Sequence, residues 1–419
     1  MRSTLLAAVA LAALPFGALS ARAQGGEGAA SEAPTVQSVA ERLDGMNEQV
    51  QTLQSDMDKL KKLKFSGYVQ ARWETAENKN DSVKVTGSPV AITPANNERF
   101  YIRRGRFKFT YDAAPLSQAV IYFDGASSGS SINVRLLECY VTLFDPWTVL
   151  HSHSVTIGQM NVPFGYEIER SSSVRELPER SRAENALFPG ERDRGLKIVS
   201  AWTPQIETTL GIFNGGGIND ANFPTTDPTR AKDLLARARF AQGTVDVGVS
   251  VLDGEALTPL TGSDALTDRQ RFGADAQLYY QLPAAGGGTL RGEYYAGHEL
   301  NADSVKALTT TPGGGPTGTV LRAGANSEHL ATDVTGWYVM WVQNWGDRVQ
   351  FAARYDAYDP NVDVDHDQFE RWSTGLNYFY DGNTRLTLSY DVPRTERLVG
   401  GRYDDLDDNL WTVQVQLKY

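Results

Sequence analysis

The chain has 419 residues, with 51 acidic against 40 basic side chains and a formal charge of −11. That balance excludes a general affinity for nucleic acid, though not local basic patches. A single cysteine, Cys139, excludes an internal disulfide. Past the N-terminus no run of about eighteen apolar residues appears, which excludes a transmembrane helix there but not a closed barrel.

Residues 1–23 read as a secretory signal. Arg2 gives the positive end, Leu5 to Leu14 the apolar stretch, and Ala21-Arg22-Ala23 the cleavage site. Loss of Arg2 and Arg22 takes the formal charge from −11 to −13. Residues 24–34 are small and polar and read as a linker.

Residues 35–64 carry a helical pattern. Val36, Val39, Leu43, Met46, Val50, Leu53, Met57 and Leu60 alternate at spacings of three and four, disturbed by Gly45. This is a heptad stripe. One reading is a short periplasmic coiled coil joining copies of the chain, three of them. The other is an amphipathic helix lying on the mouth of a barrel or plugging it.

From Phe65 to Tyr419 the period becomes two. Trp411, Val413, Val415, Leu417 and Tyr419 alternate with Thr412, Gln414, Gln416 and Lys418, and Phe272, Ala274, Ala276, Leu278 and Tyr280 oppose Asp275, Gln277 and Tyr279. Strands are expected at 65–75, 97–111, 116–124, 132–144, 153–161, 195–202, 205–214, 233–241, 243–252, 271–281, 288–297, 334–343, 348–357, 371–380, 383–391 and 410–419. Most have the length of a tilted membrane strand, about 9–11 residues. Their connections alternate between tight turns and long loops, which predicts an all-β, sixteen-stranded antiparallel up-and-down barrel with two unlike rims.

The expected polar faces carry full charges: Arg104, Arg106 and Lys108, Lys197, Arg237 and Arg239, Arg291 and Glu293, Arg354 and Asp356, and Arg385. Facing these to lipid would cost about 2–4 kcal/mol each near the midplane, so they belong in a wetted lumen. A soluble barrel with a polar exterior is the competing fold. Residues 162–194 follow the fifth strand with dense charge and little periodicity. A loop that long in a compact protein is usually functional or disordered, and this one is expected to fold into the bore. Pro163-Phe164-Gly165 and Pro189-Gly190 read as its hinges.

Gly158-Gln159-Met160-Asn161-Val162-Pro163-Phe164-Gly165, then Glu179-Arg180-Ser181, then Pro189-Gly190-Glu191-Arg192-Asp193-Arg194-Gly195, resemble the third-loop region of the phosphate-selective porin O/P family. Tyr101 to Arg106 and Arg135 to Tyr140 resemble its early strands. The resemblance is specific over roughly 97–200. It implies a trimeric outer-membrane channel in which arginines and lysines guide phosphate-like anions past an inward-folded loop. One departure stands out. Residues 162–194 hold six Arg, six Glu and Asp193, a net charge of −1. Anion preference then requires the acids to be paired or turned away.

The anion-pathway candidates are Arg104, Arg106 and Lys108 on one strand face, and Arg175, Arg180, Arg182, Arg192 and Arg194 in the loop. The ladder has two readings: loose anion sites along a pore, or wall arginines paired with lumen acids such as Glu138 and Asp275. Cys139 is expected on the lipid face, and Trp147, Trp202, Trp337, Trp341, Trp345, Trp372 and Trp411 in interface girdles. His151-x-His153 lacks further ligands for a metal. The acidic runs 359–367 and 404–408 read as loop charge, with Ca²⁺ as the alternative. No catalytic or nucleotide-binding motif is present and no cofactor is implied. The expected function is passive diffusion of inorganic phosphate or other small anions across a Gram-negative outer membrane, among lipid and lipopolysaccharide. A non-conducting scaffold tethered by the helix, and a secreted soluble β-protein, are the rivals.

Overall fold

The computed structural model describes residues 36–77, 83–86, 91–94, 98–125, 127–128, 131–132, 134–218, 229–257, 266–300, 331–365, 368–395, 397–399, 402–404 and 409–419. The expected signal and linker lie outside these residues, as do Asp367, Asp405, Asp407 and Asp408.

Helix α1 spans Val36–Lys61 and forms a unit separate from the rest of the chain. Met46, Val50, Leu53, Met57 and Leu60 are all exposed on it. The heptad stripe is therefore real as a helix face, but a single chain leaves it uncovered. No described helix is long and apolar enough to cross a membrane, which says nothing of strands.

Sixteen strands follow. They are β1 Leu63–Ala76, β2 Arg99–Ala114, β3 Ser117–Asp124 and β4 Arg135–Phe144, then β5 His153–Asn161, β6 Arg192–Ala201, β7 Ile206–Phe213 and β8 Asp233–Gln242. Next come β9 Val245–Leu257, β10 Leu266–Leu282, β11 Gly286–Leu300 and β12 Ala331–Trp345, and last β13 Val349–Asp359, β14 Phe369–Phe379, β15 Thr384–Thr395 and β16 Leu410–Lys418. Each pairs antiparallel with its sequence neighbours, and β16 pairs with β1 to close the barrel. Closure satisfies every edge, the condition for crossing lipid with strands. Three two-stranded hairpins stand outside the wall, at 83–94, 127–132 and 397–404. They were not expected from the sequence, because strands of two to four residues carry too little pattern.

The sense of the faces decides between the two folds considered. On β16 the apolar Val413, Val415 and Leu417 are 38%, 45% and 48% exposed, while the polar Thr412, Gln414 and Gln416 are each 1% exposed. The wall is greasy outside and polar inside, the reverse of a soluble barrel. Aromatic side chains add two bands. Trp337, Tyr355 and Trp372 stack in sequence across β12–β14 with ring centroids 5.3 and 4.8 Å apart. Tyr390 and Trp411 continue the band toward the long-loop rim at 4.4 Å. At the short-turn rim, Phe65 packs against Phe109 and Tyr419 at 5.2 and 5.4 Å. Cys139 is exposed on the outer face, as expected.

One alignment departs from strict alternation. A period of two through Cys139, Val141 and Leu143 puts Leu137 on the outer face with them, yet it is fully buried while Val141 and Leu143 are exposed. The β3–β4 register slips between Tyr122 and Phe123, so Leu137 is the extra residue of a bulge. A bulge shifts the alternation by one and sends both Leu137 and Glu138 inward.

A charge on the outer face is the sharpest test of this polarity. Leu388 is exposed on β15 opposite Leu376. Leu388→Arg is expected to destabilise the barrel folded into lipid vesicles by about 2–4 kcal/mol, read from urea unfolding, with Leu388→Ala costing far less.

Candidate functional site

The third long connection, 162–191, lies inside the barrel. Its ends meet where the Val162 amide donates to the Glu191 carbonyl at 3.0 Å. A loop in the bore has no sheet partner for its backbone, and buried peptide groups left unpaired are costly. Wall side chains take that role. The Glu293 carboxylate accepts from the Tyr166 and Glu167 amides at 2.8 and 3.2 Å. Asp356 accepts from the Arg182 amide at 2.8 Å. Arg354 donates to the carbonyls of Glu179 and Arg180 at 3.1 and 3.0 Å, and Arg371 donates to the second at 2.6 Å. Asn377, Gln416 and Gln70 donate to the carbonyls of Glu176, Ser173 and Ser172 at 2.9, 3.0 and 3.2 Å. Inside the loop, helix α2 spans Arg182–Leu187, with Ser181 capping the Glu184 amide at 3.4 Å.

An apolar contact completes the anchorage. Phe164, Ile168, Leu187 and Phe188 of the loop pack with Phe213, Leu235, Leu252, Tyr295 and Val334 of the wall. Phe164 lies 4.8 Å from Phe188 and 6.3 Å from Tyr295. The expected hinges are visible. Gly165 has φ +62, and a Cβ there would fall on the Glu293 carboxylate. Gly190 and Glu191 have φ +86 and +63 where the chain turns back to the wall.

The polar anchors draw the loop toward β9–β16 and β1, and the apolar contact extends to β7 and β8. A cavity of about 440 Å³ remains on the β2–β6 side. Its described lining includes Arg106, Lys108, Arg170, Arg180, Arg192 and Lys197 against Glu138, Glu169 and Glu191, six cations to three carboxylates. Most are held. Arg106 donates to Asp124 at 2.8 Å and to Tyr68 and Ser172 at 3.0 and 3.2 Å. Arg192 bonds Glu138 at 3.1 Å and Glu191 at 3.2 Å. Arg180 pairs with Glu184 at 3.4 Å and closely with Glu191. Lys108 reaches Glu138 at 3.7 Å with its side chain a third exposed. Lys197 has no ion pair among the described residues.

A second set of arginines surrounds one loop carboxylate. Arg72 Nη1 and Arg103 Nε lie 2.6 and 2.9 Å from Glu179 Oε1, and Arg104 Nη2 lies 3.5 Å from Oε2. The β1–β2 register slips between Gln70 and Ala71, which makes Arg103 the extra residue of a bulge beside Arg104. Burial opposes the charge on Glu179, but Arg72, Arg104 and Arg103 together hold it well below the usual carboxylate range.

Residues 91–256 match the family of phosphate-selective porins O and P. Every segment that carried the resemblance lies within that stretch. No curated protein matches the chain in sequence. Among solved structures, the chain is similar to OmpT of Vibrio cholerae, an outer membrane protein in trimer form. Identity there is 11% and the TM-score 0.55, over 85% of this chain and 99% of that one. It is similar to the outer membrane channel DcaP of Acinetobacter baumannii at 11% and 0.53, over 85% and 97%. It is similar to an anion-selective porin from Comamonas acidovorans at 12% and 0.51, over 85% and 98%. At these identities the likeness is one of fold: the barrel is a porin barrel.

The expected site residues divide accordingly. Arg106, Lys108, Arg180 and Arg192 line the cavity. Arg104 turns to Glu179 instead. Arg175 is buried under the loop, away from the cavity. Arg182 lies over the Phe369 ring at 5.1 Å. Arg192 and Arg194 stand on β6 rather than in the loop, because that strand begins three residues earlier than its apolar run. Arg194 Nε reaches Gln159 at 3.4 Å. Sequence reasoning passed over Arg72 and Arg103. The adjacent pair Arg103-Arg104 was the available signal, since two consecutive arginines on a wall strand imply a bulge or one of them in lipid. His151 and His153 do not converge on a metal. The first ring nitrogen meets the Asp145 carbonyl at 2.6 Å, and the second ring packs on Trp202 at 5.3 Å.

Two outcomes test the anchorage. Gly165→Ala should cost about 1–3 kcal/mol in backbone strain and displace Glu293, freeing the loop. Single-channel conductance should rise while the barrel stays folded. Glu184 in α2 is fully buried, and its carboxylate oxygens have no hydrogen-bond partner among the described residues. Burial, resisted by Arg180, pushes its pKa from 4.5 up to about 7. The folded state therefore binds the proton more tightly, and this stabilisation is full below pH 4.5 and lost as pH rises through 7. Thermal unfolding in detergent should show stability falling by on the order of 1–3 kcal/mol across that window, and Glu184→Gln should flatten it.

Proposed function

We propose that the protein is an outer-membrane porin through which small anions, phosphate and related oxyanions among them, diffuse passively. The carrying observation is the sign of the cavity beside the loop: six cations against three carboxylates line it, in a chain whose formal charge is −11. A low-dielectric wall concentrates that local field, so an anion meets attraction beside the loop. The cations that bind least tightly to the protein, Lys108 and Lys197, give an anion contacts loose enough to leave. The family match supports the same reading. No energy source or covalent step is required, and the fold is that of a channel rather than an enzyme.

Orientation follows from the rims. Short turns face the periplasm and long loops the outside in barrels of this kind, so the bore loop is the third external one. The two aromatic bands and the apolar outer face meet lipid and lipopolysaccharide. The uncovered heptad stripe of α1 supports a periplasmic coiled coil between copies, and hence a homotrimer.

Zero-current potentials of the reconstituted full chain in a KCl gradient should report anion preference, stronger at low salt. The double variant Lys108→Ala/Lys197→Ala should lower the anion-to-cation permeability ratio by roughly two- to threefold. Arg182→Ala should leave it unchanged. A cation-preferring wild type would end the anion reading, and a barrel that never conducts would point to the scaffold instead.

A further inference from the structure

We propose that Arg72, Arg103 and Arg104 form an oxyanion site whose built-in occupant is the Glu179 carboxylate, and that this tethered group keeps free oxyanions from lodging in the pore. The inference rests on the reading of the bore as an anion path.

The geometry is that of a bound ligand. Arg72 Nη1 and Arg103 Nε converge on Glu179 Oε1 at 2.6 and 2.9 Å, and Arg103 Nη2 and Arg104 Nη2 approach Oε2 at 3.2 and 3.5 Å. Both carboxylate oxygens are engaged, one guanidinium doing so in fork fashion, as arginine engages phosphate or carboxylate. Two of the three arginines are held by other partners as well. Arg72 Nε donates to Gln414 at 2.7 Å and its Nη2 to the Pro178 carbonyl at 3.0 Å. Arg104 Nη1 donates to Gln70 at 3.0 Å, and its buried Nε has no partner among the described residues. Arg72 and Arg104 would therefore keep their places without the carboxylate, while Arg103 has Glu179 as its one side-chain hydrogen-bond partner among the described residues.

The loop would also stay in place. Its backbone at this point is fixed by Arg354 on the Glu179 carbonyl and by Arg354 and Arg371 on the Arg180 carbonyl. Glu179 contributes charge to the cluster rather than the main tether of the loop.

The charge count favours a free anion once Glu179 is gone. Glu74, which contacts Arg72 at 3.4 Å, is the other acid at the cluster. Three arginines against two carboxylates become three against one. Arg72 and Arg104 are buried, but the side chains of Arg103 and Glu179 are 36% and 35% exposed, so the site opens to lumen water. A tethered carboxylate competes at the effective concentration its tether imposes, which a dissolved anion has to exceed. A pore needs binding loose enough for release. Occupying the tightest arginine cluster from within leaves passage to the looser cavity of Lys108 and Lys197.

The test uses the full chain in planar bilayers, as wild type, Glu179→Gln and Glu179→Ala. Chloride current is followed while inorganic phosphate is added. Glu179→Ala leaves room for the anion, and its current should be half-blocked at a phosphate concentration lower than wild type by about tenfold or more. Glu179→Gln keeps the volume, removes the charge and should raise the anion-to-cation ratio. Equal phosphate sensitivity of wild type and Glu179→Ala would overturn the proposal. A second readout does not depend on conduction. In detergent, phosphate should raise the unfolding temperature of Glu179→Ala and leave wild type unmoved; equal shifts, or none in the variant, would overturn it. Wild-type selectivity bears on the anion path alone, so failure of that reading is distinguishable from failure of this one.

Discussion

A peptide chain folded into the bore of a barrel has to find hydrogen-bond partners where no sheet is on offer, and the architecture of this protein follows from how it does so. The amides at 166 and 167 go to Glu293, the amide at 182 to Asp356, and the carbonyls at 179 and 180 to Arg354. Buried charges of this kind contribute little net stability on their own account, but removing one partner leaves the other stranded at a cost of several kcal/mol. They act as register pins. Because the polar anchors lie on β9–β16 and β1, the loop is drawn to that side and the cavity lies against β2–β6.

The same anchorage settles the electrostatics. Five of the loop's six glutamates are spent on the protein itself, and Glu169 faces the cavity. Glu167 meets Arg354 at 3.2 Å, Glu176 meets Arg170 and Arg291 at 2.5 and 2.7 Å, and Glu179 is enclosed by the β1–β2 arginines. A loop whose residues 162–191 hold four arginines against six glutamates, a net charge of −2, can thus border a cavity of opposite sign. Pairing also uses up guanidinium groups, which leaves the wall lysines Lys108 and Lys197 as the cavity's most loosely held cations among the described residues. Lysine, a compact charge on a flexible stem, suits a passing contact better than a planar fork that clamps.

Outside, the wall answers to a different solvent. Val413, Val415 and Leu417 are exposed, and so are Trp337, Trp372 and Trp411 in the band near the long-loop rim. In water this surface would be an aggregation hazard. It is stable against a bilayer, where apolar side chains meet hydrocarbon and ringed ones meet the interface. Helix α1 differs: its polar flanks suit water, and Met46, Val50, Leu53, Met57 and Leu60 are exposed in one narrow stripe.

Alternation of apolar and polar residues was legible along nearly the whole wall, because each strand is wetted on one side and greasy on the other, and a period of two survives any error in boundary. The unlike lengths of the connections gave the two rims for the same reason: both are local properties of the chain. The bulge at Leu137 was not legible, since a bulge is decided by the strand alongside; the one at Arg103 left a single trace, the adjacent arginines Arg103-Arg104. Neither was the fate of each arginine. Arg104, Arg106 and Lys108 share one face by spacing, yet Arg104 closes on a loop carboxylate, Arg106 on Asp124, and Lys108 stays loosely held. Spacing along a strand fixes which way a side chain points. Which charge meets it depends on residues that stand on other strands or in the bore loop, at Glu179, Asp124 and Glu138, and that the closed barrel alone brings together.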